Sequence, residues 1–207
     1  MSRDNVLHKI RTALGRGAGQ AAPDPPAARI RIPQVSMEAR MSSMLERVRA
    51  LAGEAVATDD PRGFVAAAIA GKTAVASNAP FLAECGITGL AGVRSGITDR
   101  EELRELCATV DVGITSADYA LADTGTLVML ASPQEARMIS LLPPAHIAVV
   151  PRGRILTGLD ELFSLLPNPA ESTSSMVLIT GPSRTADIEQ ILVRGVHGPG
   201  LLSVVVV

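Results

Sequence analysis

Short, almost unbroken apolar runs alternate with segments of helical periodicity along most of this chain, and this alternation limits its fold more than any other feature. Strands that are apolar on both sides need cover on both sides of their sheet. Helices placed between such strands supply that cover. The pattern therefore predicts an α/β fold of three layers, in which a mostly parallel sheet has helices on both faces.

Individual elements can be placed from the same pattern. The apolar runs predict strands at residues 55–58, 73–77, 110–115, 127–131, 147–150, 176–180 and 201–207. Amphipathic spacing, with start and stop residues at the ends, predicts helices at residues 2–14, 37–51, 61–70, 159–166 and 185–194, and one more that Asp99 caps. Residues 167–175 are predicted to form a loop.

The first 28 residues differ in character from the rest. Residues 2–14 have helical spacing, with Asp4 as the expected N-cap, and residues 15–28 have the Gly, Ala and Pro content of a flexible linker. The sequence thus predicts two parts: an N-terminal helix with its linker at residues 1–28, and an α/β domain at residues 29–207. The apolar stripe of the helix needs a surface to cover, either on its own domain, which is the simpler alternative, or on a partner.

Composition argues against several kinds of partner and cofactor. The formal net charge is −2 and no basic block occurs, so nucleic acid is not an expected partner. Cys85 and Cys107 lie far apart and are too few to ligate an iron–sulfur cluster. The three histidines would need carboxylates to hold a metal, and a loop or strand-end role is expected for His146. With no signal peptide and no apolar run of the ~20 residues that span a membrane, the sequence predicts a cytoplasmic protein.

Three polar, Gly-containing stretches are expected at the ends of strands, at residues 113–126, 181–189 and 196–199. Open α/β sheets bind ligands beyond the carboxyl ends of their strands. If the sheet brings the first two stretches together, they line one crevice. The candidate ligand-binding residues in the three stretches are Asp118, Thr124, Gly125, Thr126, Gly181, Ser183, Arg184, Thr185, Asp187 and His197.

The stretch at residues 181–189 gives the strongest indication of a ligand. An apolar strand runs through a Gly-Pro turn into a predicted helix, and the first N–H groups of a helix have no partner within it. These groups, the positive end of the helix dipole and the Arg184 guanidinium together predict a site for an anion. In the structural alternative, Ser183 only caps the helix and Arg184 pairs with Asp187.

Two acids, Asp123 and Glu189, are candidates for catalysis. Asp123 lies between apolar strands, where a carboxylate needs partners and can act as a base. Alternatively, Asp123 belongs to a polar turn and Glu189 complements a helix dipole. Ser183, Asp187 and His197 include the side-chain types of a nucleophilic triad, but no Gly-x-Ser-x-Gly motif surrounds the serine, so a hydrolase is not predicted.

Five stretches in the second half of the chain carry a family resemblance. They are residues 113–118, 122–126, Leu142-Pro143 with His146, 181–189 and 195–199. Together they resemble the LUD domain family, and within it the lactate utilization protein C (LutC/YkgG) branch. The resemblance implies a NagB/RpiA/CoA-transferase-like fold and membership of a three-protein system that oxidises L-lactate to pyruvate. It also implies that iron–sulfur clusters reside on partner proteins and that this chain is a non-redox subunit.

Three hypotheses of function follow. In the first, the chain is a component of L-lactate oxidation that binds a small carboxylate or phosphate, with no cofactor of its own; whether it is itself an enzyme stays open. In the second, it is a stand-alone transferase or isomerase acting on a phosphorylated or CoA-linked small molecule, with Asp123 and then Glu189 as its acid. In the third, it is a purely structural partner domain. The oligomeric state is not predicted.

Overall fold

The structure, a computed structural model, describes residues 2–17, 20, 30–185 and 193–207. In chain order its strands are β1 (Glu54–Ala57), β2 (Ala74–Ala76), β3 (Val93–Arg94), β4 (Val112–Ser116), β5 (Tyr119–Leu121), β6 (Thr126–Leu130), β7 (Ala145–Val150), β8 (Ile155–Leu156), β9 (Met176–Ile179), β10 (Arg184–Thr185), β11 (Val193–Arg194) and β12 (Leu201–Val206). Its helices are α1 (Arg3–Ala13), α2 (Met37–Ala50), α3 (Pro61–Ala68), α4 (Pro80–Glu84), α5 (Arg100–Cys107), α6 (Met138–Leu141), α7 (Leu159–Leu165) and α8 (Pro169–Ser172), with a 3₁₀ turn at Arg152–Arg154.

The main sheet has six strands in the spatial order β1-β12-β7-β4-β2-β3, and every neighbouring pair is parallel. Its two faces have separate apolar cores. On one face α3 and α4 pack through Val65 and Leu82. On the other face lie α5 and α6, packed through Leu103 and Ile139, and α2, packed through Val48. The predicted α/β fold with helices on both faces is confirmed.

A second, four-stranded sheet in the order β8-β5-β6-β9 was not predicted. It packs on the α2 face of the main sheet, where Leu127 and Met129 share a core with Ala148 and Val204. Its outer face is covered by α7 through Leu162. Strands β5 and β6 are antiparallel, as are β6 and β9, so β9 runs against the direction of β6.

Local signals set the starts of the helices. Ser36, Asp60 and Asp99 each accept a hydrogen bond from a backbone N–H in the first turn of α2, α3 and α5. Pro61 occupies the first position of α3, where its missing N–H has no consequence. In α1 the cap is Ser2, one residue before the helix, and the expected Asp4 cap is wrong because Asp4 already lies within the first turn.

Gly113 in β4 allows a close approach of α6. A methyl group on Gly113 would overlap the carbonyl oxygen of Ile139 and touch the Pro143 ring. The glycine therefore allows the α6 backbone to lie directly on the sheet.

The seven strands predicted from apolar runs are all present, within about two residues of their expected ends. Strands β3, β5, β8, β10 and β11 were missed, because runs of two or three residues are too short to show a period. The predicted loop at residues 167–175 contains α8, a single turn.

The apolar stripe of α1 is exposed. Val6 and Ile10 are 41% and 50% exposed, and no residue of α1 is buried. Docking of this helix on its own domain, the simpler alternative, is therefore absent from the described structure.

The predicted helix at residues 185–194 is wrong at both ends. Arg184 and Thr185 pair antiparallel with Arg194 and Val193, so the ends form a two-stranded ribbon. Residues 186–192 between them lie outside the described residues. The branched side chains of Thr185 and Val193 suit a strand. Each strand of this ribbon has two residues, which is too short for either segment to show a period in the sequence.

Candidate functional site

The carboxyl edge of the main sheet has a switch point between β2 and β4. The connection leaving β2 runs outward to β3, whereas the chain leaving β4 runs to β7 on the other side. Where neighbouring strands send their connections in opposite directions, a crevice opens beyond their carboxyl ends, and open α/β sheets bind ligands there.

Glu135 lies at this switch point and joins the two strand ends. Its Oε1 accepts a hydrogen bond from the Ser77 hydroxyl, just after β2, at 2.6 Å. The same atom accepts one from the backbone N–H of Ser116, at the end of β4, at 2.7 Å. The Ser132 hydroxyl accepts from the Glu135 N–H, and the Asn78 N–H donates to the Gln134 carbonyl, so the loop after β6 is fixed against β2.

The Glu135 carboxyl is only 7% exposed, and burial raises its pKa to about 8, against the opposing effect of the Ser77 and Ser116 hydrogen bonds. The negative charge of Asp118 raises this pKa further. The Oε2 atom of Glu135 is buried and has no hydrogen-bond partner among the described residues. Since Oε1 already accepts two donors, the proton held at neutral pH belongs on Oε2, which then needs an acceptor.

A second acid and a cation complete the crevice. Burial raises the pKa of Asp118, and the Leu130 N–H, which donates to its Oδ2 at 2.7 Å, opposes that rise together with the charge of Arg154. The Arg154 guanidinium is exposed and lies 5.3 Å from the centre of the Tyr119 ring. Stacking on the ring holds the cation beside the opening.

The crevice measures about 450 Å³. Apolar groups from Ala79, Pro80 and Phe81 form one side, and the polar side carries Glu135 and Asp118. A small concave site with a few convergent polar groups is the usual form of a small-molecule site. Arranged in this way, a neutral carboxyl, a carboxylate and a guanidinium suit a small ligand that carries a carboxylate or carbonyl group.

The structure divides the residues predicted to share one crevice. Asp118 lies at the carboxyl edge, in the crevice with Glu135. Thr124 and Thr126 lie at the far end of the β5–β6 hairpin, where the Thr126 hydroxyl is 2.8 Å from those of both Thr124 and Thr180. The first polar stretch thus contacts Thr180, the residue just before the second stretch, whereas Asp118 is separated from that contact.

Gly125 and Gly181, two of the predicted ligand-binding residues, pack against the end of the same helix, α2. Gly125 and Gly181 both have positive φ, at 70° and 83°. A Cβ on Gly125 would lie 2.7 Å from Cβ of Arg47, and one on Gly181 would lie 3.0 Å from Cβ of Leu51. Both turns therefore lie against the last part of α2, and this packing accounts for the glycines without a ligand.

Ser183 and His197 line a different cleft, near the amino ends of β7 and β12. The Ser183 N–H donates to the Pro199 carbonyl at 2.8 Å, and the Gly195 N–H donates to the Ser183 carbonyl at 3.0 Å. These bonds tie the second polar stretch to the third. They also leave the Ser183 N–H engaged within the protein, so it is not available to a ligand.

Arg184 and Thr185 lie in β10, and the Arg184 side chain is exposed. Because Thr185 is a strand residue, the helix start predicted at residue 185 is wrong, and the dipole and free N–H groups expected from that start have no support among the described residues. Asp187 and Glu189 lie outside the described residues. Asp123 is exposed, and its Oδ1 accepts from the Thr124 hydroxyl at 3.2 Å.

Sequence reasoning missed Glu135, Ser77, Ser116 and Arg154. Glu135 lies in a Ser-Pro-Gln-Glu segment whose sequence is typical of a surface turn. Its partners Ser77 and Ser116 come close to it only because β2 and β4 are neighbours in the sheet. One available signal was that Ser77 and Ser116 both end apolar runs in a predicted parallel sheet.

The fold and site define an open α/β protein with a partly polar crevice at its switch point. The chain matches the LUD domain family over residues 39–207, and it belongs to that family. Its structure is similar to the crystal structure of a DUF162 family protein from Deinococcus radiodurans, with a TM-score of 0.64 and 19% identity over 84% of this chain and 99% of that one.

Curated relatives match a shorter part of the chain. It is 42% identical over 111 residues to lactate utilization protein C of Exiguobacterium sp. (strain ATCC BAA-1283 / AT1b), covering 52% of this chain and 48% of that protein. It is 36% identical over 139 residues to lactate utilization protein C 1 of Bacillus mycoides (strain KBAB4), covering 62% and 59%. The matched part spans about half the length of these relatives.

Two kinds of feature are absent from the described residues. No helix among them is both long and apolar enough to cross a membrane. Within the same residues, no three His, Cys, Asp or Glu side chains are grouped so that they could hold a metal ion.

Proposed function

We propose that this chain is a component of an L-lactate utilization system and that it binds a small carboxylate, such as a 2-hydroxy or 2-oxo acid, in the crevice at Glu135. The similarity to proteins named lactate utilization protein C supports the first part. The observation that carries the second part is the buried Glu135 carboxyl at the switch point of the sheet, whose Oε2 has no hydrogen-bond partner among the described residues.

The chemistry of the crevice suits such a ligand. The Glu135 Oε2–H has no partner among the residues that the structure describes and can donate to a carboxylate or carbonyl oxygen. The Arg154 guanidinium at the opening supplies the counter-charge. Asp118, whose Oδ2 is occupied by the Leu130 N–H, leaves its other oxygen to accept from a ligand hydroxyl.

The electrons of lactate oxidation would leave through partner proteins. The chain has two cysteines, and an iron–sulfur cluster generally requires four ligands. Cys107 is buried, and burial raises the pKa of its thiol to about 11, which disfavours the thiolate that a metal needs. This supports iron–sulfur clusters on partners and a ligand-binding, non-redox role for this subunit.

Calorimetric titration with L-lactate, pyruvate and inorganic phosphate tests the ligand proposal. We expect a carboxylate to bind and Glu135→Met, which removes the donor, to weaken binding at least tenfold, since a hydrogen bond to a charged group contributes about 1.5–3 kcal/mol. Glu135→Gln keeps a donor and should retain binding. Glu105→Met, at an exposed glutamate, is the matched control. Equal affinity in wild type and Glu135→Met would contradict the proposal.

The partner proposal needs a separate test. A tagged chain purified from its native cells should bring with it Cys-rich proteins that show the visible absorbance of iron–sulfur clusters. Oxidation of lactate by the purified chain alone would contradict the non-redox role.

The transferase or isomerase alternative stays a prediction. It relied on Asp123 and Glu189. Asp123 is exposed and bonded to the neighbouring Thr124 hydroxyl, and Glu189 lies outside the described residues. No observation on the described residues favours that reaction over ligand binding at Glu135.

A further inference from the structure

A second cleft lies at the opposite edge of the sheet from Glu135, and its volume is about 210 Å³. Its walls come from α6, β9 and the two turns that contain Ser183 and His197. Leu141, Val177 and Leu202 make the lining largely apolar. None of its described lining residues is Asp, Glu, Lys or Arg. The lining of this cleft therefore has no carboxylate, ammonium or guanidinium group, unlike that of the crevice, and its titratable side chains are two histidines.

His146 lines this cleft and is 1% exposed. Its Nε2 lies 2.7 Å from the Thr115 hydroxyl oxygen. Its Nδ1 is buried and has no hydrogen-bond partner among the described residues. Buried polar atoms are almost always paired, so an unpaired one beside a cavity indicates a missing partner. Burial also lowers the pKa of the ring to about 4, so the ring is neutral near pH 7.

Hydrogen bonding assigns the proton on this ring. In one tautomer the Nε2–H donates to the Thr115 hydroxyl oxygen. The Thr115 hydroxyl proton and Nδ1 are then both unsatisfied, because that hydroxyl has no other partner among the described residues. If the Thr115 hydroxyl donates to Nε2, only Nδ1–H is unsatisfied. The second arrangement leaves fewer unpaired groups, so Nδ1 is a donor in need of an acceptor.

The geometry points to a second binding site here, for a small uncharged ligand with a carbonyl oxygen, such as an amide or a ketone, and a short apolar body. The carbonyl oxygen accepts from the His146 Nδ1–H, and the apolar body lies against Leu141 and Leu202. A neutral ligand fits better than a carboxylate, because the described lining contains no Lys or Arg and the exposed Arg184 guanidinium near Gly181 is not part of it.

Nitrogen-15 NMR of the histidine rings tests this site, with isobutyramide and 2-butanone as probes and isobutyrate as the charged counterpart. We expect the free protein to show the Nδ1–H tautomer of His146, and either neutral probe to shift its Nδ1 signal, with isobutyrate at least tenfold weaker. An Nε2–H tautomer would overturn the proposal. So would the absence of a shift with both neutral probes, or tighter binding of isobutyrate.

Two variants make the test specific. His146→Leu should abolish binding of the probes, whereas His8→Leu, at an exposed histidine of α1, should leave it unchanged. If His146→Leu does not fold, Ser183→Trp, which puts a large side chain in the lining of the cleft and keeps the His146 ring, should prevent the shift. Probe binding that persists in a folded His146→Leu or Ser183→Trp protein would overturn the proposal. The result is independent of carboxylate binding at Glu135, since the two sites share no lining residue.

Discussion

Ser77 and Glu135 are 58 residues apart in the sequence, yet their side chains are joined by a hydrogen bond of 2.6 Å where β2 ends. This bond places an acid between the carboxyl ends of β2 and β4, where the connections leave the sheet in opposite directions. An acid buried at such a position is costly to ionise, so its protonation should be visible both in stability and in binding.

Glu135 should make the protein less stable as pH rises. The folded-state pKa is about 8 and the ordinary value is 4.5, so between these values the folded state holds a proton that the unfolded state has released. The stabilising contribution is complete below pH ~4.5 and is lost by pH ~8, at up to about 1.4 kcal/mol per pH unit. Thermal unfolding across this range should show the loss in wild type and a smaller one in Glu135→Gln. Parallel curves for the two proteins would contradict it.

Ligand binding should follow the same ionisation. Above pH ~8 the Glu135 proton is lost, so a carboxylate ligand meets a negative charge in place of a donor. Affinity of wild type should fall above that pH, whereas Glu135→Gln should show little change. Titrations at pH 7 and pH 9 with both proteins measure this. A fall of equal size in the variant would assign the pH effect to another group.

Asp118→Asn should lower the pKa of Glu135, because it removes the neighbouring negative charge that helps to raise it. The carbon-13 signal of the Glu135 carboxyl during a pH titration reports this directly. Asp111→Asn, far from the crevice at the start of β4, is the control and should leave the Glu135 titration in place. An unchanged pKa in Asp118→Asn would show that burial alone sets it.

Arg154 and Arg184 should differ in their effect on carboxylate binding. Arg154 lines the crevice, whereas Arg184 lies in β10 beside the second cleft. Both guanidinium groups are exposed, so each variant should fold. We expect Arg154→Ala to weaken carboxylate binding about fivefold, the effect of an exposed ion pair of about 1 kcal/mol, and Arg184→Ala to leave it unchanged. The reverse result would favour the anion site first expected at residues 181–189.

Gly113→Ala should be strongly destabilising, because the added methyl group overlaps backbone of α6 rather than a movable side chain. Overpacking of this kind costs about 1–3 kcal/mol or more. Gly153→Ala has open space around it and should change the free energy of unfolding by less than about 0.5 kcal/mol. Chemical denaturation of the two variants compares them. A Gly113→Ala protein of wild-type stability would show that α6 moves easily.

Five of the six strands of the main sheet were predictable because they lie in apolar runs separated by capped helices, whereas β3, with two residues, was not. Asp118 was placed correctly at the end of β4 for the same reason, since the run at residues 110–115 identifies the strand before it. The position of Ser183 was not predictable. Strand β9, which leads to it, belongs to the second sheet, so its end lies near the amino ends of β7 and β12. Apolar content alone does not distinguish a strand of one sheet from a strand of the other.

Glu135 shows a second limit of the sequence. Its own segment has no regular pattern, and its partners come from β2 and β4, which are distant in sequence. Strand order brings them together, and strand order is a property of the packed molecule. The pKa of Glu135 likewise depends on burial that only the assembled sheet provides.

The sheet order also affects how the chain is made. β12 comes after every other strand, yet it lies between β1 and β7 and pairs with both along their length. During synthesis on the ribosome, β1 has no partner in this sheet until residues 201–206 leave the exit tunnel. Until then β1 and the side of β7 that β12 later covers are unpaired, and exposed strand edges of this kind favour aggregation and binding by chaperones.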